Sequence, residues 1–170
     1  MSTGGMSSLL NLLNGAEEVD AVAALLRCCG SGRWAREVVA QRPFGGIGDV
    51  EEVSAAVLAT LDWAEVVPLL DGVARVRERW PDLGRGELIY EQRFGHRFVL
   101  CPAGLGRAEA LAALRHRSGH DRWTERAVAT AELARVVAAR VRGLVLGGVS
   151  TVASPGQVAI CHVADNDHSR

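Results

Sequence analysis

A stripe of apolar side chains between Arg122 and Leu146 constrains the fold more than any other feature. Most of its members have another member three or four positions away, so they lie on one face of a helix and can bury that face continuously. We therefore expect a long helix from about Arg122 to Leu146 to form the centre of the core. The stripe consists of Val128, Leu133, Val136, Val137, Val141 and Leu144.

Glycines, prolines and capping residues divide the preceding chain into shorter helical segments. Gly30 stops one segment, and Ser31 can cap the next, which breaks before Pro43 because a residue that precedes proline is pushed out of helical geometry. Acidic side chains are favoured at the positive end of the helix dipole. Asp49 and Asp62 are therefore predicted to begin two further helices.

The composition agrees with helices that pack closely. Hydrophobic residues make up 48% of the 170 residues but aromatics only 5%, a balance typical of helices joined through small side chains. We predict an all-α fold, a single-domain bundle of about seven to nine unequal helices over residues 7–146. Residues 147–170 show no periodicity that could bury a face, and we expect them to form a flexible tail.

Charge and cysteine usage exclude several functional classes. The net charge of -1 gives no general attraction to nucleic acid or anionic lipid, and no uncharged apolar run reaches the roughly 18 residues of a membrane span. The cysteines and histidines lack metal-binding spacing, and the glycines match no nucleotide-binding motif. We expect a cytoplasmic protein with reduced thiols that uses neither metal nor cofactor and binds neither nucleic acid nor membrane.

Arg140 is the most informative single residue, because its neighbours on the same helical face are apolar. A guanidinium held toward the interior needs a protein carboxylate, a helix end or the anionic group of a ligand as its partner. Asp71, at the end of a predicted helix, could serve as that partner or as a catalytic base. Its alternative role is that of a solvated turn residue.

The segment RGELIYEQRFG is predicted to be an amphipathic helix with Leu88, Ile89 and Phe94 facing inward. Glu87 and Tyr90 could converge on a small polar substrate, which makes Glu87 a second catalytic candidate, although stabilisation of the helix start explains it equally well. The following run RFVLC is short, extended and apolar. We expect that run to cross the interior.

Four segments together resemble one known family: LLNLLNG, RCCGSGRWAREVVAQRPF, YEQRFGHRFVL and AARVRGLV, which span nearly residues 8 to 146. They are similar to the 2-oxo-4-hydroxy-4-carboxy-5-ureidoimidazoline (OHCU) decarboxylases of urate breakdown. The resemblance implies an all-helical and usually homodimeric enzyme. Such an enzyme removes carbon dioxide from its substrate without a cofactor and yields (S)-allantoin.

The resemblance also suggests site residues. The family's substrate-binding arginine aligns with Arg140, and Phe98, Val99 and Leu100 fall where family members offer backbone groups to the substrate ring. The family's His-Pro pair should fall within residues 70–73, which here read Leu-Asp-Gly-Val. The Glu-Gln segment is also missing, because only the short link RERWPDLGRG occupies that stretch.

Three functional hypotheses follow. The first is a cofactor-free lyase for a small ureido or heterocyclic carboxylic acid, with Arg140 binding the carboxylate and Asp71 or Glu87 handling a proton. The second is a repurposed cyclase, isomerase or lyase that acts on another small acidic metabolite. The third is a non-catalytic binding or dimerisation protein, in which Arg140 pairs internally.

Overall fold

The computed structural model describes residues 7–146, and these contain helices and loops but no β-strand. Nine α-helices and one 3-10 helix confirm the all-α prediction and the expected number of unequal helices. The predicted tail, residues 147–170, lies outside the described residues. The helices are α1 Ser7–Gly15, α2 Glu18–Cys29, α3 Gly32–Val39, α4 Ile47–Thr60, α5 Trp63–Asp71, α6 Val76–Arg79, the 3-10 helix Pro81–Leu83, α7 Gly84–Phe94, α8 Arg107–Ser118 and α9 Arg122–Leu146.

The longest helix, α9, is the centre of the fold, as the apolar stripe predicts. It packs most extensively against α4 and also contacts α1, α2 and α5. Ala129, Leu133, Val137 and Val141 are almost completely buried along its length. Although α9 has 25 residues, none of the helices within residues 7–146 is long and apolar enough to span a membrane.

Local capping interactions set most of the helix boundaries. The Ser31 hydroxyl accepts a hydrogen bond from the backbone N–H of Trp34 at 3.2 Å, which confirms the predicted start of α3. The expected cap at Asp49 is wrong, because α4 begins two residues earlier, at Ile47. The Asp49 carboxylate instead accepts from the N–H of Gly45 at 2.8 Å, so it fixes the loop that leads into the helix.

Two apolar clusters form the core, and one extended segment connects them. The larger cluster joins α1 to α5 with α9, and the smaller one surrounds Tyr90 between α6, α7 and α8. Along the extended segment Val99 and Cys101 belong to the larger cluster, whereas Phe98 and Leu100 belong to the smaller one. Successive side chains of an extended chain point to opposite sides. The segment therefore crosses the interior, as predicted.

The predicted orientation of α7 is wrong in part. Leu88 and Ile89 are 48% and 55% exposed, whereas Glu87 and Tyr90 are completely buried and Phe94 is half-buried. Positions 87, 90 and 94 share one helical face, and this face carries a carboxylate and a phenol that find polar partners inside. Leu88 and Ile89 lie one and two positions from Glu87, so they point away from that face.

Candidate functional site

Two arginines meet at the C-terminal end of α5, in the α5 terminal turn (Asp71–Val73). Arg97 donates from Nη1 to the carbonyls of Asp71 at 2.6 Å and Val73 at 3.4 Å, and its Nε lies 3.0 Å from the Asp71 carboxylate. Arg140 donates from Nη2 to the carbonyl of Gly72 at 2.9 Å. Three successive carbonyls thus accept hydrogen bonds from two guanidinium groups.

Arg140 also reaches a second helix end. Its Nη1 donates at 3.0 Å to the carbonyl of Cys28, in the last turn of α2. The last carbonyls of a helix lack partners within the helix and carry the negative end of its dipole, so a cation is favoured beside them. Within residues 7–146 no carboxylate pairs with Arg140. A protein carboxylate, a helix end and a ligand anion were the partners considered for this guanidinium. In the structure Arg140 binds two helix ends.

The cysteines next to this contact are inert thiols. Cys28, Cys29 and Cys101 are buried and form no disulfide with one another. Burial raises the pKa of both the Cys28 and the Cys29 thiol to about 11, and the nearby charge of Arg140 offsets only part of that effect. A thiol with so high a pKa is protonated at neutral pH and is a poor nucleophile. Cys28 and Cys29 therefore pack rather than react.

Phe98, Val99 and Leu100 form the extended segment that begins directly after Arg97, and all three side chains are buried. The carbonyl of Val99 accepts from Arg117 Nη1 at 2.5 Å. One residue beyond the three, the N–H of Cys101 donates to the Glu132 carboxylate at 2.8 Å. The segment is therefore fixed from α8 and α9, and the residue before it, Arg97, is hydrogen-bonded to the α5 terminal turn.

A buried charge network holds Arg117 in place. The Glu125 carboxylate, completely buried, accepts from Arg117 Nε at 2.9 Å and from the Tyr90 hydroxyl, and His120 Nδ1 lies 2.9 Å from its second oxygen. Burial and the hydrogen bond to Glu125 raise the pKa of Tyr90 well above its ordinary range. Buried ions are stable only when paired and hydrogen-bonded, so the network is a structural unit. Sequence reasoning did not single out Arg117 or Glu125.

His96 extends this network with an uncharged ring. Its ring lies edge-on to Trp63 at 4.9 Å and to Tyr90 at 5.6 Å between ring centroids, and burial lowers its pKa. A histidine with a lowered pKa is neutral at physiological pH. His96 therefore packs as a buried aromatic side chain.

Glu87 lies apart from the α5 terminal turn, in the smaller apolar cluster. One of its oxygens accepts from the backbone N–H of Arg77 at 3.3 Å, and the other has no hydrogen-bond partner among the described residues. Burial raises the pKa of this carboxyl above its ordinary value. The Tyr90 hydroxyl is bonded to Glu125 instead, so Glu87 and Tyr90 do not share a hydrogen bond.

Neither of two grooves on the described surface is lined by Arg140 or Asp71. The larger, about 680 Å³, lies between α4, α9 and the start of α5, and the smaller, about 280 Å³, follows α2. Asp71 exposes 60% of its side chain and Arg97 28%, so the α5 terminal turn is open to solvent. Within residues 7–146 no three His, Cys, Asp or Glu side chains group as metal ligands would.

The comparisons with known proteins agree with the resemblance in the sequence. Residues 74–142, less than half of the chain, match the family model described as OHCU decarboxylase. A crystal structure of (S)-allantoin synthase superposes with a TM-score of 0.66 at 16% identity, over 79% of this chain and 53% of that one. The fold is thus shared with that protein, of which the chain spans about half the length. No curated protein matches the chain.

The unpartnered oxygen of Glu87 leads to a prediction about pH. Because its folded pKa is raised, the protonated carboxyl stabilises the fold below the ordinary pKa of 4.5, and this contribution is lost as the pH rises through the folded pKa. Urea denaturation should therefore show Glu87→Gln to be more stable than the parent at pH 8, by on the order of 1 kcal/mol. The difference should shrink toward zero as the pH falls to the ordinary carboxyl value.

Glu78→Gln is the matched control, because Glu78 is exposed on the neighbouring helix α6. Its effect on stability should be small and nearly independent of pH. If Glu87→Gln destabilised the protein equally at both ends of the pH range, the buried carboxylate would have to be ionised and well paired.

Proposed function

We propose that the chain is a cofactor-free lyase of the purine-catabolism type, which acts on a small ureido or heterocyclic carboxylic acid bound at the α5 terminal turn. One observation carries this proposal. Arg97 and Arg140 converge on that turn beside the Asp71 carboxylate, directly before the Phe98–Leu100 segment, in a fold shared with (S)-allantoin synthase.

The guanidinium groups retain donors for a substrate carboxylate. An arginine guanidinium offers five N–H donors. The described hydrogen bonds of Arg140 go only to the carbonyls of Cys28 and Gly72. The remaining donors can bind a carboxylate without breaking the contacts to the helix ends. Charge-assisted hydrogen bonds of this kind are among the stronger polar contacts in proteins. Arg140 would therefore orient the acid, and Arg97 would add positive charge beside it.

Decarboxylation also requires control of one proton. When the bond to the carboxylate carbon breaks, its electron pair enters the ring system, and a proton must then reach one face of a ring carbon. Asp71 adjoins Gly72, the residue whose carbonyl binds Arg140, and its carboxylate is open to solvent. Glu87 is enclosed in the smaller cluster. As carbon dioxide leaves, Asp71 would relay that proton from solvent water to the ring carbon, near the position of the family's missing histidine.

The test is a decarboxylation assay with freshly generated ureidoimidazoline acid, in which the chirality of allantoin is followed by circular dichroism. The parent should accelerate product formation over the spontaneous reaction and enrich the S form. Asp71→Asn should lower kcat about a hundredfold, whereas Arg140→Lys should raise KM about tenfold. Asp82→Asn, which changes another exposed aspartate paired with an arginine, should leave both constants unchanged.

A racemic product that forms at the spontaneous rate would refute the proposal. Equal losses in Asp71→Asn and Asp82→Asn would refute the assigned role of Asp71 but not the reaction, because such losses would reflect a general effect of removing a surface charge.

A second candidate function, non-catalytic dimerisation, is favoured by the exposed face of α2. Val19 is 77% exposed and Leu26 38%, and they border the smaller groove, which is also lined by Glu18 and Arg36. In a two-fold interface the same patch meets itself, so Glu18 of each copy would lie where it can pair with Arg36 of the other. We propose a second copy of the chain as the occupant of this face.

Sedimentation equilibrium tests this candidate. The parent should be a dimer, and Val19→Asp should shift it toward the monomer by placing two buried charges in the interface. Ile89→Asp is the matched control, because Ile89 is an exposed apolar residue on α7. A monomeric parent, or equal dissociation by the two variants, would exclude the α2 face as the dimer interface.

A further inference from the structure

The larger groove has the size and lining of a small-molecule site. Its volume of about 680 Å³ lies within the range of about 300–1,000 Å³ that such sites occupy. Small side chains form the two walls, with Ala55 and Ala59 on α4 facing Ala127 and Ala131 on α9. Trp63, at the start of α5, also lines the groove. A flat apolar body therefore fits between the walls.

Beside Trp63, the groove also contains the guanidinium of Arg126, which is stacked on indole rings. The guanidinium carbon of Arg126 lies 5.1 Å from the ring centroid of Trp63 and 5.3 Å from that of Trp123. Both distances are within the range of cation–π contacts. Trp123 is 78% exposed, so one face of this stack is open to solvent. An indole that is left so exposed is a ready stacking surface for an aromatic ligand.

None of the residues described in the structure balances the charge of Arg126 by an ion pair. Within residues 7–146 its guanidinium makes no ion pair and no hydrogen bond, whereas Arg135, the other arginine of the groove, pairs with Glu132 at 2.9 Å. No carboxylate lines the groove. The indoles hold the Arg126 guanidinium without using its N–H donors in hydrogen bonds, so these donors are available to an acceptor from outside.

We propose that this groove binds a planar aromatic carboxylate, with the ring stacked beside Trp63 and Trp123 and the carboxylate on Arg126. The site is distinct from the proposed lyase site. Arg126 and Arg140 are 14 positions apart on α9, which at 1.5 Å per residue separates them by about 21 Å along the helix. The apolar walls select a flat hydrophobic body, and the unpaired cation selects an anion.

The probe is 2-naphthoate, followed through the indole N–H signals of the four tryptophans in ¹H–¹⁵N correlation spectra of the full chain. Saturable shifts should appear at Trp63 and Trp123. The signals of Trp34, which is buried and bonded to the Ser54 carbonyl, and of Trp80 should not move. Uncharged 2-naphthamide should bind about tenfold more weakly, because it lacks the anionic partner for Arg126.

Arg126→Gln should weaken 2-naphthoate binding by about tenfold. Arg122→Gln is its matched control, since it removes an exposed arginine one turn earlier on the same helix, outside the groove. The proposal is overturned if Trp63 and Trp123 show no saturable shift at about 5 mM probe. It is also overturned if the amide binds as tightly as the acid, or if Arg126→Gln has no larger effect than Arg122→Gln.

Discussion

Arg140 joins two helix ends to the central helix, and the arrangement of α2, α5 and α9 depends on this contact. Its guanidinium donates to the carbonyl of Cys28 in α2 and to that of Gly72 after α5. A charge within an apolar face is costly unless it is hydrogen-bonded. The helix ends meet this requirement because their carbonyls would otherwise lack partners and because their dipoles attract a cation.

A second arginine on the same turn helps to fix where the chain crosses the core. Arg97 binds the same α5 terminal turn, so the extended segment that follows it starts at a fixed point. Further along, Arg117 holds the Val99 carbonyl, and Glu125 holds Arg117. Charged groups thus hold the chain just before the segment and at Val99, while the side chains of the segment alternate between two apolar clusters. Fixed backbone of this kind is a suitable frame for a small ligand site.

Much of the fold could be predicted from the periodicity of apolar residues. The polar contacts between helices could not, because they join residues that are far apart in the sequence. The apolar stripe of α9 predicted the central helix. The free-energy cost of burying an unpaired charge limited the partners of Arg140 to a carboxylate, a helix end or a ligand anion. The same reasoning would have found Glu125, four positions before the buried Ala129, and Arg117, three positions after the buried Leu114. It could not predict that these two side chains meet. The prediction that Leu88 and Ile89 face inward was wrong because the buried face of α7 carries polar residues with partners on other helices.

The free energy of unfolding of Arg140→Met, compared with that of Arg142→Met, tests the central role of the helix-end contact most directly. Arg142 lies two positions further on the same helix and pairs with Glu51 at the surface, with 63% of its side chain exposed. In urea denaturation Arg140→Met should lose about 1–3 kcal/mol, because two helix ends lose a charged donor, and Arg142→Met should lose less than about 1 kcal/mol. Equal and small losses in the two variants would contradict the account.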